Sequence, residues 1–186
     1  MERIRQLIRE VIPVIIGVLI ALVINNWNED RKTKKYLSQI FFSIQKELEE
    51  SESYISQAIP KQKVLLDSIG EYLNDQSVSL LEVVKKTEGI KFSTIKNNSW
   101  QSISRSKIEL ISHDKLSMLS DIDESKKELY LKNEKVFDFV IDNANAMDSG
   151  KKELFELMIQ DIIWTEERLQ KQIDEFIEKM KPIVSD

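Results

Sequence analysis

Hydrophobic and polar positions divide the chain into an apolar amino-terminal segment and a long body with helical periodicity. Residues 11–24 carry no polar side chain, and the window without charges extends to residue 28. A membrane-spanning helix needs about 20 apolar residues, and Leu7, Ile8 and Trp27 bring the segment to that length. The pattern predicts a transmembrane helix over residues 11–28, preceded by a short basic tail over residues 1–10.

Other interpretations of the apolar segment stay open, of which a pilin-type amino-terminal helix is a weaker one, because its glycine-phenylalanine cleavage site with a following glutamate is missing. A cleavable signal peptide also has a basic start and an apolar run, although no A-x-A-like site follows residue 24. A buried core helix is the other alternative, because fourteen apolar residues is also a usual core length.

The body, residues 29–186, shows apolar residues at spacings of three and four, which is the period of a helix. No Gly or Pro lies between Asn25 and Ile59, so the membrane helix is expected to continue unbroken out of the membrane. Pro60 is expected to break or kink this helix, or to open the next one. The fold class predicted is all-α, a single amino-terminal transmembrane helix continuing into an antiparallel helical bundle. A coiled coil is the second choice, because the stripes are not strict heptads.

Local signals mark the elements of the middle of the body. Ser79 and Glu82 fit a capping box, which predicts a short helix over residues 80–86. Residues 88–99 are the least regular part and predict a loop that includes a short extended piece. Residues 100–111 predict a helix and a turn.

Two long helices are predicted in the last third of the body. The first is expected to start at residues 112–114 and to carry its last apolar position at Met147. Residues 148–150, Asp-Ser-Gly, predict a turn. The last helix is expected to end before Pro182.

One side of the membrane helix carries small or polar residues at a spacing of four, which places them on one face: Pro13, Gly17, Ala21 and Asn25. Gly17 and Ala21 form a small-xxx-small pair that lets two helices approach closely, and Asn25 could form a hydrogen bond across such a contact. This face is the predicted self-association surface. The alternative is a chance pattern, since such residues are common in membrane helices.

Aromatic and basic residues flank the apolar segment and are predicted to lie at the membrane interface: Arg9, Trp27, Arg31, Lys32, Lys34 and Lys35. A basic cluster beside an anionic membrane gains about 1 kcal/mol per charge. Three arginines precede the segment and four basic residues follow it, so this count alone does not decide the orientation. The short basic tail is expected to stay inside, which places the body outside the cytoplasm.

Composition and charge exclude several classes of function. The chain has no Cys and one His among 186 residues, and a formal net charge of −5. These values exclude thiolate zinc sites and His–His metal pairs, and they disfavour nucleic acid as a partner. A di-metal bundle needs Glu-x-x-His pairs, but Leu110 stands three residues before His113. No catalytic residue, metal site or cofactor is predicted.

Several single residues allow a functional and a plain structural interpretation. His113 is either a pH sensor or part of a polar turn, and the second is favoured. Glu166 and Glu167 are expected at a solvated helix edge rather than as buried acids. Lys126 and Asn133 are expected in a solvated patch rather than as a buried polar pair. Trp100 and Trp164 are expected to be packing anchors.

The run over residues 16–29, with Ile24-Asn25-Asn26-Trp27-Asn28-Glu29 and then Arg31-Lys32-Thr33-Lys34-Lys35, resembles the start of an uncharacterised family of small membrane-anchored proteins common in Bacteroidota. A looser likeness lies at residues 99–103, 110–112 and 116. The chain departs from the family pattern at Val23, where the family often has Gln, and at Arg105-Ser106, where it often has Gly. The resemblance implies a membrane-anchored helical protein and carries over no catalytic residue.

These observations predict a single-pass protein of the bacterial inner (cytoplasmic) membrane with a periplasmic helical body. The expected partners are the lipid bilayer and either further copies of the chain or another membrane protein. A scaffold or accessory role without catalysis is the first hypothesis. A helical sensor that binds a small ligand and regulates a membrane partner is the alternative, and a pocket with convergent polar groups would favour it.

Overall fold

The computed structural model describes the backbone of residues 2–180 and the side chains of residues 11–180. Over that range the chain forms five α-helices and one 3-10 turn, with no β-strand. The prediction of an all-α fold with a helical bundle is therefore confirmed. The chain divides into two compact units, Met1–Phe42 and Ser43–Asp186.

The first helix, α1, spans Glu2–Glu71 and has 70 residues. It contains the apolar segment and continues without interruption after it, as the absence of Gly and Pro predicts. Within the described backbone, the basic tail is also helical.

Pro60 lies inside α1, so the prediction that it ends one helix or opens the next is wrong. Proline removes one backbone hydrogen bond and crowds the preceding turn. Its side chain is exposed, whereas the neighbouring Ile59 and Leu65 are buried. The burial of Ile59 and Leu65 stabilises the helix around Pro60. The carbonyl four residues before Pro60, which lacks its usual backbone donor, can accept a hydrogen bond from water.

The two last helices, α4 (His113–Asp142) and α5 (Ser149–Met180), pack against each other as an antiparallel pair. Near one end Arg168 forms an ion pair with Glu128. Towards the other end the rings of Phe139 and Phe155 stack with centroids 6.3 Å apart. Between these contacts, Lys132 Nζ bonds Asp161 and the Thr165 hydroxyl, each at 2.8 Å.

The carboxyl-terminal part of α1 runs antiparallel to α5. Gln170 donates a hydrogen bond to the Ser56 hydroxyl at 3.1 Å. At the other end of the pair, Lys152 Nζ donates to the backbone oxygens of Tyr72 and Asp75, at 2.8 and 2.6 Å. Lys152 is fully buried. Its ammonium group therefore caps the carboxyl end of α1, which has no basic residue in its own last turn.

Helix α2 (Leu80–Lys86) begins with the predicted capping box, which is confirmed. The Ser79 hydroxyl accepts from the Glu82 amide, and Glu82 accepts from the Ser79 amide at 2.8 Å. After α2 comes an irregular connection, residues 87–97, followed by α3 (Asn98–Ser106) and a 3-10 turn, Ile108–Leu110. The predicted loop is confirmed, and residues 98 and 99 belong to α3 instead.

The boundary between α4 and α5 differs from the prediction. The start of α4 after Ser112 is confirmed, but the helix ends at Asp142 instead of reaching Met147. The turn occupies residues 143–148, and residues 149 and 150 already belong to α5. The carbonyls of Ala144 and Ala146 accept hydrogen bonds from the first amides of α2, at 3.0 and 2.9 Å. These hydrogen bonds join residues 144 and 146 to α2, so these residues form part of the turn and do not extend α4.

The core of the second unit consists of buried side chains from each of the five described helices. Its largest members with under 2% exposure are Phe155, Phe176, Ile44, Leu48, Ile55, Leu65, Ile69, Leu80, Ile103, Leu119 and Ile122. Burial of a Leu, Ile or Phe side chain stabilises the fold by about 1.5–3 kcal/mol. Along α1 they recur at helical spacings, as Ile44, Leu48 and Ile55 do, which agrees with the period read from the sequence.

Candidate functional site

The apolar segment of α1 is exposed along its whole length. Every side chain from Val11 to Asn28 is classed as exposed, and the large aliphatic ones retain between 42% and 67% of their accessible surface. The helix contains an 18-residue window with a mean hydropathy of 2.0 and no buried residue. By length and composition it could cross a membrane, whose apolar core is about 30 Å thick.

The four predicted self-association residues, Pro13, Gly17, Ala21 and Asn25, all lie in this exposed helix. A Cβ atom added at Gly17 would meet no neighbour within 4 Å beyond the adjacent residues and backbone of its own helix. The Asn25 amide donates a hydrogen bond to Glu29 at 3.3 Å, one turn further along the helix. Asn25 therefore has a partner within its own helix, and a second helix would have to compete for it.

The predicted interface residues after the apolar segment are also exposed. Trp27 keeps 64% of its surface, and the side chains of Arg31, Lys32, Lys34 and Lys35 are all exposed. Residues 27, 31 and 34 are spaced by four and three, so they share one side of the helix. Arg9 is helical, but its side chain lies outside the part that the structure describes.

A cleft in the second unit lies between the irregular connection and helix α4. It has a volume of about 380 Å³ and is lined by Phe92, Ser93, Thr94, Ile95, Lys126, Leu129, Tyr130, Asn133 and Glu134. Ile95 and Leu129 are buried, while Tyr130 is 63% exposed at the edge. A volume of this size lies within the usual range for small-molecule sites.

Lys126, one of the residues that line the cleft, belongs to a small hydrogen-bond network. Lys126 Nζ donates to the Asn97 side-chain oxygen at 2.5 Å, and the Asn97 amide nitrogen donates to Asp123 at 2.6 Å. Asp123 also pairs with Lys127, at 2.6 Å. Burial lowers the pKa of Lys126, and the charges of Asp123 and Glu47 act in the opposite direction.

Asn133 lies further along the same cleft. Its Oδ1 atom is buried and has no hydrogen-bond partner among the described residues. An unpaired buried oxygen of this kind costs about 1–3 kcal/mol. The sequence predicted that Lys126 and Asn133 lie in a solvated patch, and this prediction is wrong. The alternative, a polar pair bonded to each other, is not found among the described residues either. Both are partly buried and line one cleft, which no sequence signal indicated because its other wall is more than 30 residues away.

The position of Glu166 contradicts the prediction that this residue lies at a solvated helix edge. It is 0% exposed, whereas the adjacent Glu167 lies on the surface and faces Lys63 at 3.4 Å. Glu166 Oε1 accepts from the Ser93 hydroxyl at 2.6 Å and from the Ser93 amide at 3.2 Å. Burial raises the pKa of Glu166 above its ordinary value of 4.5, and the bonds from Ser93 and Gln62 only partly offset this.

Gln62, which is also buried, completes this cluster. Its amide nitrogen donates to the Lys91 carbonyl at 2.8 Å. Side chains of α1 and α5 therefore hold the irregular connection by its backbone, and Ser93 belongs both to this cluster and to the cleft wall. Buried backbone groups outside helices need such partners.

The remaining candidates behave as follows. His113 is exposed at the first position of α4, as expected for a polar turn. Trp100 is 5% exposed and acts as a packing anchor, but Trp164 is 62% exposed, so the prediction of a packing role is wrong there. Among the residues whose side chains are described, no group of three or more His, Asp and Glu could hold a metal ion.

Comparison with models of known protein families gives a match. The model of a family of unknown function (DUF6090) matches residues 10–154. This range includes the apolar segment, the cleft and the Lys126 network. No curated protein and no solved structure matches the chain. The match agrees with the resemblance to an uncharacterised family, while occurrence in Bacteroidota stays a prediction.

Proposed function

The chain belongs to the DUF6090 family, whose function is unknown, and from its own geometry we propose that it is a membrane-anchored helical scaffold or accessory subunit without catalytic activity. The carrying observation is the exposed apolar segment of α1. Eleven large aliphatic side chains between residues 11 and 24 are exposed. Moving such a side chain out of water is favourable by about 1.5–3 kcal/mol, and a bilayer provides an apolar environment of matching thickness.

Anchoring is tested by fractionation of cells that express the full chain. The protein should stay in the membrane fraction after alkaline carbonate extraction. Replacing Ile16 and Ile20 by Lys should release it, because each charge near a bilayer centre costs about 2.5–3.5 kcal/mol on insertion scales. Ser38→Lys, an exposed position outside the apolar segment, is the matched control. Release of the unmodified chain by carbonate would overturn the proposal.

We place the protein in the bacterial inner membrane with its body in the periplasm, because the short basic tail favours the cytoplasm. The chain has no Cys, so single substitutions report position without background. Lys63→Cys in the exposed body should react with a membrane-impermeant maleimide in intact spheroplasts, and Glu2→Cys should not. The opposite labelling pattern would refute this orientation.

We also propose self-association through the face of Pro13, Gly17, Ala21 and Asn25. A Cβ atom at position 17 has no neighbour within 4 Å beyond its own helical turns, so we expect a change in the mass of Gly17→Leu to reflect a contact between chains. The mass in nanodiscs, with lipid subtracted, should be a multiple of 21.8 kDa and should fall in Gly17→Leu. Val18→Leu, on a different side of the helix, is the control. A monomeric unmodified chain would argue against this contact.

A second candidate function is a membrane-anchored sensor, and the cleft beside α4 favours it. Lys126 and Asn133 line this cleft together with apolar side chains such as Ile95 and Leu129. Ser93 connects its wall to buried Glu166 of α5. A ligand in the cleft could therefore act on the connection between α1, α4 and α5.

A further inference from the structure

We propose that the side of α1 that carries Trp27, Arg31 and Lys34 binds the headgroup of an anionic phospholipid and prefers it to a zwitterionic one. This inference rests on membrane anchoring, the first proposed function, and names the lipid class that the edge of the anchor contacts. Three properties of the helix support it, which are the different chemistry of its two sides, the depth of the basic residues and the distribution of charge along the chain.

The residues just beyond the apolar segment divide between two sides of α1. Residues 27, 31 and 34 are spaced by four and three, and so are residues 25, 29 and 32, so each set shares one side. At 3.6 residues per turn the two sets point about 160° apart. The first set combines an aromatic ring with two cations. In the second set Asn25 donates a hydrogen bond to Glu29 at 3.3 Å, and this carboxylate would repel a phosphate.

The two cations of the first set are available to a ligand. The side chains of Arg31 and Lys34 are exposed, and none of the ion pairs among residues 11–180 involves either of them. Asp30 precedes Lys34 by one turn but is not paired with it in the described structure. An arginine can bind a phosphate through two parallel hydrogen bonds, and a lysine adds a mobile positive charge.

The depth of these residues matches that of a lipid phosphate. Tryptophan is enriched at the boundary between the apolar core and the headgroups, and Trp27 ends the apolar segment. A rise of 1.5 Å per residue places Arg31 about 6 Å and Lys34 about 10 Å further along the helix. The headgroup layer is about 5–8 Å thick on each side of the core. Arg31 therefore falls within this layer, and the long side chain of Lys34 can reach back to it.

The distribution of charge along the chain favours lipid as the partner. Residues 1–35 contain seven basic and four acidic residues, a net charge of +3. Because the whole chain has a net charge of −5, residues 36–186 carry −8. An anionic membrane surface attracts the anchor region and repels the body, whereas an acidic protein would be repelled by most of the chain. The contact needs only anionic phospholipid in the leaflet that receives residues 27–35.

The test is native mass spectrometry of the full chain released from nanodiscs that contain equal amounts of phosphatidylglycerol and phosphatidylcholine with the same acyl chains. The unmodified chain should retain phosphatidylglycerol in preference to phosphatidylcholine. Lys34→Gln should lower this preference about fivefold, which is the factor that one charge near an anionic surface contributes. Arg31→Gln should lower it at least as much, and Arg31→Lys should lower it less.

Lys32→Gln is the matched comparison, because it removes the same charge from the same basic cluster on the opposite side of the helix. It should lower the preference by less than about twofold. Lys135→Gln, at an exposed position of α4, is the control for the net charge of the chain and should leave the preference unchanged.

Equal retention of the two lipids by the unmodified chain would overturn the proposal. Equal losses in Lys32→Gln and Lys34→Gln would also overturn it, because they would show attraction by total charge without a site on the side of Trp27. Carbonate extraction separates this proposal from anchoring itself. Release of the unmodified chain would refute anchoring, whereas a chain that stays anchored and shows no lipid preference would refute only the headgroup site.

Discussion

The buried ammonium group of Lys152 provides the sharpest test of how the bundle is held together. Lys152→Met keeps most of the aliphatic stem and removes the charge. In the native structure this charge bonds the carbonyls of Tyr72 and Asp75 just beyond the end of α1. We expect the variant to fold but to be less stable.

The magnitude follows from the two carbonyls and the helix end. Tyr72 is half-buried, so leaving its carbonyl unpaired costs about 1–3 kcal/mol. Asp75 is exposed, so water can replace the ammonium there at little cost. Loss of a positive charge at a partly buried helix carboxyl end adds up to about 2 kcal/mol. The expected loss is therefore about 1–5 kcal/mol in the free energy of unfolding.

The assay is urea unfolding of the full chain in nanodiscs, followed by circular dichroism. Lys171→Met is the matched control, since Lys171 is 79% exposed and pairs with Glu175 at 3.9 Å. It should leave the unfolding midpoint unchanged. Hydrogen exchange at residues 72–78 should be faster in Lys152→Met only. Equal stability of Lys152→Met and the unmodified chain would mean that burying the ammonium costs as much free energy as its bonds to the helix end contribute. That result would refute the conclusion that Lys152 stabilises the end of α1.

Other substitutions give further tests. Glu166→Gln keeps the oxygen that Ser93 bonds. Because the pKa of Glu166 is raised in the folded state, its contribution to stability is full below about pH 4.5 and is lost as pH rises through the folded pKa. The unmodified chain should therefore lose stability above that pH relative to Glu166→Gln, and parallel pH profiles in urea unfolding would contradict this. Pro60→Ala should raise the midpoint of thermal unfolding, by up to about 3 kcal/mol in stability, since Pro60 is exposed within α1; a lower midpoint would show that proline is needed there. Ser79→Ala should cost about 0.5–2 kcal/mol through loss of the α2 cap, measured by urea unfolding against Ser77→Ala. Trp100→Ala should cost about 3–5 kcal/mol, whereas Trp164→Ala should have little effect on stability because that side chain is exposed.

Sequence reasoning located the features that depend on neighbours in the chain. The capping box of Ser79 and Glu82 works within four residues, and the stripes on each helix follow from a period of 3.6 residues. Both are visible without knowing the tertiary structure. The apolar segment is equally local, because its length and composition define it.

The errors concern residues whose environment comes from distant parts of the chain. Glu166 looks like a surface residue on its helix, and its burial depends on Ser93, 73 positions away. The end of α4 at Asp142 reflects pairing of residues 144 and 146 with the start of α2. Pro60 is a helix breaker by local rules, but its side chain points to solvent while its neighbours are buried. The cleft has the same origin, since its two walls are separate segments.

The order of the helices has a consequence for synthesis on the ribosome. The hydrogen-bond partner of the Tyr72 carbonyl, Lys152, is synthesised 80 residues later, and the partner of Ser56, Gln170, is synthesised 114 residues later. At about 5–20 residues per second, these partners emerge roughly 4–20 s after α1 is complete. During that interval the nascent helix exposes the face that α5 will cover. Helix α5, which is translated after α1 to α4, therefore completes the packing around α1, and a chaperone that shields nascent apolar surface would act on α1 before α5 is synthesised.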